Sequence, residues 1–374
     1  MHKDYSEFIE GVVRLNPAFI VGSGLSAGAG ISGMGELTSY IIKHIRISKF
    51  AQNQLNEWGA IKRRLTEEKQ GLEEALQHSG EALNGILLQE IVEQTWRCIA
   101  HDEQPLLPAI SYRVDPTGFL RYFTQCLTSN IDTIHIITTN YDHLIEWSAS
   151  SCGWRVWDGF DEGTIGMPLS VDALNEKMRK VTASGRKQVT TRHHHVRVYK
   201  PHGSLSWFKL PSGEMRRVQG IGAQLLTGLR KLSITPAIVT PGTGKYLETH
   251  QEPYNSVLAE MKQVLDKCRA LIFVGFGFND LHIQGSFAGV MRNGDIPKLI
   301  LARGLSPNAK QLMRSGKLVN FVAVQRQGSG SEVISDQFNS FVTTEPEHWT
   351  LKGMLNQAWG AEGNEGAAKS VSHP

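Results

Sequence analysis

Short runs of β-branched and other apolar residues recur along this chain, at Ala18–Val21, Ile134–Thr138, Val196–Tyr199, Ala237–Thr240, Leu271–Val274, Lys298–Ala302 and Leu318–Val324, each ending in small or polar residues. Runs that are brief and apolar without a break are expected of strands buried on both faces. Segments of helical period lie between several of them. The expectation is therefore an α/β fold, a Rossmann-like parallel sheet with helices on both faces. Such sheets bind ligands beyond the carboxyl ends of their strands, so the residues that follow each run carry the most information.

The first two runs are separated by more than a hundred residues, and the interval has its own pattern. Trp58, Ile61, Leu65, Leu72 and Leu76, then Leu83, Ile86, Leu87, Ile91 and Trp96, follow one another mostly at three- and four-residue steps. This predicts a helical insertion over about 43–120, standing on the sheet as a lobe or lid or serving as an oligomer surface. The stretch of about 175–195 carries Lys177, Arg179, Lys180, Arg186, Lys187 and Arg192 with no apolar period, and is expected to be a basic loop or irregular hairpin. One domain is expected over 1–355. A flexible tail should occupy 356–374, where Gly360–Pro374 is small, polar and aperiodic.

A formal charge of +3, from 39 basic and 36 acidic residues, excludes a chain-wide electrostatic grip on nucleic acid or membrane and leaves only indirect or local contact. Cys98, Cys126, Cys152 and Cys268 are too scattered for paired zinc-ligand spacing. No apolar stretch is long enough to span a bilayer, and the polar start at His2, Lys3 and Asp4 is unlike a secretory signal, so a cytoplasmic protein is expected.

After the first run the chain reads Gly22-Ser-Gly-Leu-Ser-Ala-Gly-Ala-Gly-Ile-Ser32, ahead of a helical-looking Leu37–Ile45. Glycines at that place let the backbone turn tightly and approach a pyrophosphate, whose charge is met by free N–H groups at a helix start. A dinucleotide-binding loop is expected, against the alternative of a plain tight turn. Dehydrogenases of this architecture also place an acid about 20 residues on, to hold the adenosine ribose. Here Ile41–Ser48 contains none, so a reductase is disfavoured.

Ile136-Ile-Thr-Thr-Asn-Tyr-Asp-His143 runs from a strand into polar groups, which places Thr139, Asn140 and Asp142 at the carboxyl edge. Asn140 can both donate to and accept from a ribose hydroxyl or a water, and Asp142 can accept from an amide. The same residues could equally form an Asx-turn that caps the next helix. Val196-Arg-Val-Tyr-Lys-Pro-His-Gly203 leads another strand to His202 between proline and glycine, a suitable general base, with a histidine satisfied by loop carbonyls as the alternative. Leu271–Val274 ends in Gly275-Phe-Gly277, again able to admit a ligand against backbone, and Asp280 then starts a helix.

In that order these stretches resemble the sirtuin-like superfamily, and its bacterial anti-phage NAD hydrolases more than its protein deacylases. The resemblance spans residues 18–282 as islands. It implies Asn140 and His202 as a catalytic pair, with Gly22, Ser23, Gly24, Ser26, Gly30, Thr139, Asp142, Gly275, Phe276 and Gly277 around the dinucleotide and Asp142 at its nicotinamide end. NAD would be a substrate and no metal is expected. The deacylases carry a four-cysteine zinc module and Pro-Asp-Phe-Arg after the glycine loop, whereas this chain has Ile31-Ser-Gly-Met-Gly-Glu36 and a helical insertion, with no zinc lobe. Its size resembles the sirtuin-like subunit that works with a HerA-like ATPase in phage defence, which implies that partner and a homo-oligomer.

The implied reaction is hydrolysis of the nicotinamide–ribose bond to nicotinamide and ADP-ribose. Two alternatives stay open: a non-catalytic module that senses NAD or ADP-ribose, and an NAD-dependent deacylase. Gly242-Thr-Gly-Lys245 lacks the first glycine and the Ser/Thr of a P-loop and is expected to be a turn. His193-His194-His195 alternates in direction on an extended chain and is expected not to chelate a metal.

Overall fold

The computed structural model describes residues 3–360 except 80–82, 84, 185–186, 220–230, 240–251 and 346. Its centre is a nine-stranded sheet built from β1 (Ala18–Val21), β2 (Thr133–Thr138), β3 (Arg155–Trp157), β4 (His195–Tyr199), β5 (Leu271–Val274), β6 (Lys298–Ala302), β7 (Phe321–Gln327), β8 (Gly330–Ser335) and β9 (Phe341–Thr343). The order is β9-β8-β7-β6-β5-β1-β2-β4-β3, parallel from β7 through β3, with β8 and β9 antiparallel at one edge. The expected α/β class is what forms. β1 sits in the middle because all four of its residues are apolar and can be buried on both faces.

Alternation along β1 divides the core into two layers. Phe19 and Val21 face helices Lys3–Arg14, Phe119–Cys126, Leu144–Ser151 and Leu351–Trp359, while Ala18 and Ile20 face helices Val171–Met178, Tyr254–Lys267, Leu281–Arg292 and Pro307–Arg314. Apolar burial on both faces supplies most of the stabilisation, at roughly 1.5–3 kcal/mol for each large side chain taken fully out of water.

The helical insertion forms a lobe with its own core. Helices Gln52–Thr66, Leu72–Gln77 and Gly85–Glu103 pack with Met34–His44 through Leu37, Ile41, Trp58, Ile61, Leu65, Leu72, Leu76, Leu87 and Ile91. Most of the positions read from the helical period are buried. Ile86 departs from it and is exposed, since it sits in the first turn of its helix on the outer side. Ile99 and Trp96 carry the lobe down against Leu205 and Phe208, and the Trp96 indole donates to the Leu205 carbonyl at 2.7 Å.

Several boundaries differ from the sequence reading. The run at Ala237–Thr240 does not join the central sheet: Thr235–Ile238 pairs antiparallel with Gly203–Lys209 in a separate four-stranded sheet, and Thr240 lies outside the described residues. Of the two readings of the basic stretch 175–195, the hairpin is the one that forms. The stretch comprises the end of helix Val171–Met178 and an antiparallel hairpin in which Arg179–Ser184 pairs with Lys187–Arg192. Residues 356–359, expected in the tail, belong instead to helix Leu351–Trp359, and Trp359 stacks on Tyr122 with ring centroids 5.8 Å apart. Gly242–Lys245 lies outside the described residues. Among the described residues no helix is long and apolar enough to cross a membrane.

Candidate functional site

The glycine-rich segment is more helical than its composition indicates. Gly22, extended at φ −115°, is the N-cap of a short helix, Ser23–Gly28, that starts directly off β1. The turn is held by backbone contact with the loop after β5: Gly22 N donates to the Val274 carbonyl and Gly24 N to the Gly275 carbonyl, both at 3.0 Å. A Cβ on Gly22 would stand 2.6 Å from the Gly275 oxygen, and one on Gly275, at φ +59°, would stand 2.3 Å from Leu25 N. These two glycines are required by the crossing of two loops, whatever ligand the edge takes.

A cleft opens at the carboxyl edge of β1, β2, β4 and β5. Gly22, Ser23, Ser26, Thr139, Asn140, Asp142, His202, Phe276 and Gly277 all line it. Gly24 and Gly275 line a different depression on the far side of the loop crossing, and Gly30, at φ +99°, lines neither. Residues separated by up to 255 positions are thus brought to one place, while three of the glycines are not.

Within the cleft Asn140 is fixed by its amide. Its Nδ2 donates to the Gly22 carbonyl at 3.0 Å and to Ser26 Oγ at 2.8 Å, and Ser26 Oγ donates in turn to Asp142 Oδ2 at 2.6 Å. A carbonyl can only accept, so the amide nitrogen must lie on that side and Oδ1 remains as the acceptor for anything that enters the cleft. Asp142 meets the capping reading and adds a contact that the sequence did not announce. Its Oδ1 accepts from Leu144 N at 3.2 Å, capping helix Leu144–Ser151, while Oδ2 anchors Ser26. Both oxygens are engaged by protein groups, so its first role is to hold Asn140 through Ser26.

His202 approaches from the loop after β4. Its Nε2 lies 2.7 Å from Asp280 Oδ2, with side-chain exposures of 15% and 11%, so the pair is largely sheltered from water. Asp280 precedes helix Leu281–Arg292, where its Oδ1 accepts from Ile283 N at 3.4 Å, which confirms the helix start and adds a partner for histidine. Nothing in the spacing of 202 and 280 announces that contact. The strands that precede the two loops are not neighbours, since β1 and β2 lie between β4 and β5; the contact forms because both loops leave the same carboxyl edge and meet across the cleft.

Beneath the Asn140 loop lies a second polar layer. Lys200 is fully buried, paired with Glu146 at 2.7 Å, and donates to the Tyr141 carbonyl at 3.4 Å and to the Asp142 carbonyl. His143 Nδ1 is 3.0 Å from Glu103 of the lobe, and its Nε2 is 3.2 Å from Ser204 Oγ. Burial would lower the His143 pKa, but the Glu103 carboxylate outweighs it and holds the ring above its ordinary value. Glu103 therefore ties the lobe to the loop that carries Asn140. Glu73, Ile99, Met34 and Leu37 supply the other wall, so the lobe and its supporting helix close one side of the cleft. Among the described residues there is no group of three or more His, Cys, Asp or Glu side chains placed to hold a metal ion. Of the three consecutive histidines, His194 is tied to the Ile131 carbonyl at 3.0 Å and His195 is buried.

These features define an α/β protein with a cleft at the switch point of its sheet, apolar over much of its lining and carrying Asn140, Asp142 and His202. Residues 134–315 match the family described as a SIR2-like domain, a region that contains Asn140, His202 and Asp280 but not the glycine-rich segment. A search of curated protein sequences finds no match. Solved structures with a similar chain course include those titled "The Structural basis of Sirtuin Substrate Affinity" and "Structure of Sir2Tm bound to a propionylated peptide". Each is 14% identical, has a TM-score of 0.39, and covers 84% of this chain and 99% of the other. "Sir2-p53 peptide-NAD+" is 13% identical with a TM-score of 0.39, covering 84% and 98%. At that distance the likeness carries no residue roles.

Proposed function

We propose that this chain hydrolyses NAD at the nicotinamide–ribose bond, releasing nicotinamide and ADP-ribose, with Asn140 and His202 as the catalytic pair. The observation that carries the reading is the opposition of two prepared groups in one cleft, an asparagine whose amide is locked so that Oδ1 is available and a histidine backed by a carboxylate.

The scissile bond joins a cationic pyridinium to C1′ of ribose. Its electron pair leaves with nicotinamide, which departs neutral, and positive charge develops on the ribose ring as an oxocarbenium-like state. The protein must then position one water and remove one proton. Asn140 Oδ1 accepts from that water or from a ribose hydroxyl. The Asp280 carboxylate beside Nε2 favours the His202 tautomer protonated there, with Nδ1 as the base; as the water oxygen bonds to C1′, its proton passes to His202 and then to solvent. Ser23 offers its backbone N–H at a helix start toward the pyrophosphate, and Gly22 lines the cleft beside it. Thr139, Phe276 and Gly277 line the remaining wall.

The resemblance seen in the sequence extends the proposal to a cellular role: depletion of NAD in anti-phage defence, as a homo-oligomer working with a HerA-like ATPase. The test is chromatographic detection of nicotinamide and ADP-ribose after incubation with NAD, with and without an acyl-lysine peptide and with and without that ATPase. Hydrolysis gives both products without peptide. Release only with peptide indicates a deacylase, and ligand-induced stabilisation without any release indicates a sensor; either result overturns the proposal. His202→Ala and Asn140→Ala, verified as folded by their thermal transitions, should each reduce release by about 10²-fold or more.

A further inference from the structure

The opposite edge of the sheet holds a second cavity, larger than the first, which the proposed reaction does not use. It encloses about 730 Å³, within the ~300–1,000 Å³ usual for small-molecule sites, between the amino ends of β1, β2, β4 and β5 and the helices Val171–Met178 and Tyr254–Lys267. In a sheet covered on both faces the strand residues under those helices should be apolar. Here the paired positions Thr133 with His195 and His135 with Arg197 put four polar side chains side by side on one face.

Arg197 dominates that face. The residue is 7% exposed, yet its guanidinium has only neutral partners: Nε donates to His195 Nε2 at 3.3 Å and Nη2 to Asn175 Oδ1 at 2.6 Å. Among the described residues no carboxylate comes within ion-pair distance of it. The neighbouring histidines do not share its charge. Burial, reinforced by Arg197 itself, drives the pKa of His135 down to about 3, and burial drives that of His195 down to about 4, where Arg197 again contributes. A buried cation without a counter-charge is costly, and the ordinary remedy is an anion. Asn16 makes the complementary demand: its Nδ2 donates to the Thr133 carbonyl at 3.1 Å, but its Oδ1 is buried with no hydrogen-bond partner. Arg192, Lys267 and Arg269 add positive charge around the cavity, and Asp132, Asp172 and Glu260 add acceptors, of which Asp132 already takes Thr133 Oγ1 at 2.8 Å and Glu260 takes Gln263 Nε2 at 3.3 Å.

We infer that this cavity binds a small phosphorylated sugar or nucleotide, with the phosphate on Arg197 and the ribose hydroxyls toward Asn16 and the carboxylates. Arg197 supplies several N–H donors in a planar fork suited to phosphate oxygens. A bare anion would fill neither the volume nor the acceptors. The site lies on β2 and β4, the strands whose other ends lead to Asn140 and His202, so its occupant would sit one strand length from the cleft.

Isothermal titration of the full chain with ribose 5-phosphate, AMP, ribose and inorganic phosphate tests this. Ribose 5-phosphate or AMP should bind saturably and ribose should not. The tighter of the two identifies the ligand as sugar phosphate or nucleotide. Arg197→Gln should weaken binding by at least about tenfold, whereas Asp280→Asn, in the other cleft, should leave it unchanged. Should Arg197→Gln fail to fold, Asn16→Ala and Arg269→Ala carry the test, and each should weaken binding by about threefold or more. No binding by either phosphate ester up to about 10 mM overturns the inference. So does inorganic phosphate binding as tightly as the esters, or equal affinity in wild type and the folded variants.

Discussion

The two ends of β2 and β4 treat histidine in opposite ways. At the carboxyl end Glu103 holds His143 toward its charged form, whereas at the amino end burial beside Arg197 holds His135 and His195 neutral. The chemistry differs because the compensation differs. The carboxyl edge sets Lys200 against Glu146, His143 against Glu103 and His202 against Asp280, while the amino edge leaves Arg197 among neutral groups. A site whose charges are matched internally is prepared to position a substrate. A site with an unmatched charge is prepared to receive one.

Removing one partner of a matched pair should produce the largest effect. Lys200→Met leaves Glu146 buried and uncompensated and strips the donor from the Asp142 carbonyl, so unfolding in denaturant should show a loss of about 3–5 kcal/mol. A loss below about 1 kcal/mol would show that the pair is dispensable.

Acid should act next, and strongly through the amino edge. The folded pKa values of His135 and His195 lie below the ordinary 6.5, so their contribution is fully present above about 6.5 and is lost as pH falls toward 4 and 3. Each neutral histidine should cost about 1.4 kcal/mol of stability per pH unit in that window. His135→Gln should lower the slope in a series of denaturant melts from pH 7 to pH 5. His143 has the reverse sign: the stability from its raised pKa is present below its ordinary value and is lost as pH rises through the folded one. Glu103→Gln should therefore flatten the alkaline side and leave the acid side alone.

The loop crossing should be the next most sensitive point. Gly275→Ala combines a left-handed backbone with a clash against Leu25 N and should cost about 2–3 kcal/mol by thermal or chemical denaturation. The smallest of these effects is expected of Asp280→Asn, which keeps size but removes the charge behind His202. Nicotinamide release should drop by about tenfold with the unfolding transition unchanged. Release equal to wild type would separate Asp280 from the catalytic machinery.

The carboxyl edge was legible in the sequence, and the amino edge was not. Thr139-Asn-Tyr-Asp142 and His202-Gly203 follow apolar strands directly, and chain direction alone then assigns them to the ligand-binding edge. Thr133, His135, His195 and Arg197 lie inside strands or at their starts, where each polar residue alternates with an apolar one. Their collective meaning exists only after β2 and β4 pair in register. The same limit explains Asp280, which read correctly as a helix start but showed nothing of its contact with His202. The glycine-rich segment misled in one respect. Gly24 and Gly275 were expected against a dinucleotide, yet they face one another across a loop crossing, because glycine answers the demand for close backbone approach from protein as readily as from ligand. The lobe's core followed from helical period at Trp58, Ile61 and Leu65, but its contribution of Glu73 and Ile99 to the cleft depends on how the lobe seats on the sheet.

The central claim is that Asn140 acts on bound NAD rather than merely holding the loop, and one paired measurement decides it. NAD affinity and single-turnover nicotinamide release should be measured on wild type and on Asn140→Ala of unchanged thermal transition. Binding should stay within about threefold while release falls by about 10²-fold or more. Equal release by the two proteins, or a loss of release that tracks a matching loss of NAD binding, would contradict the account.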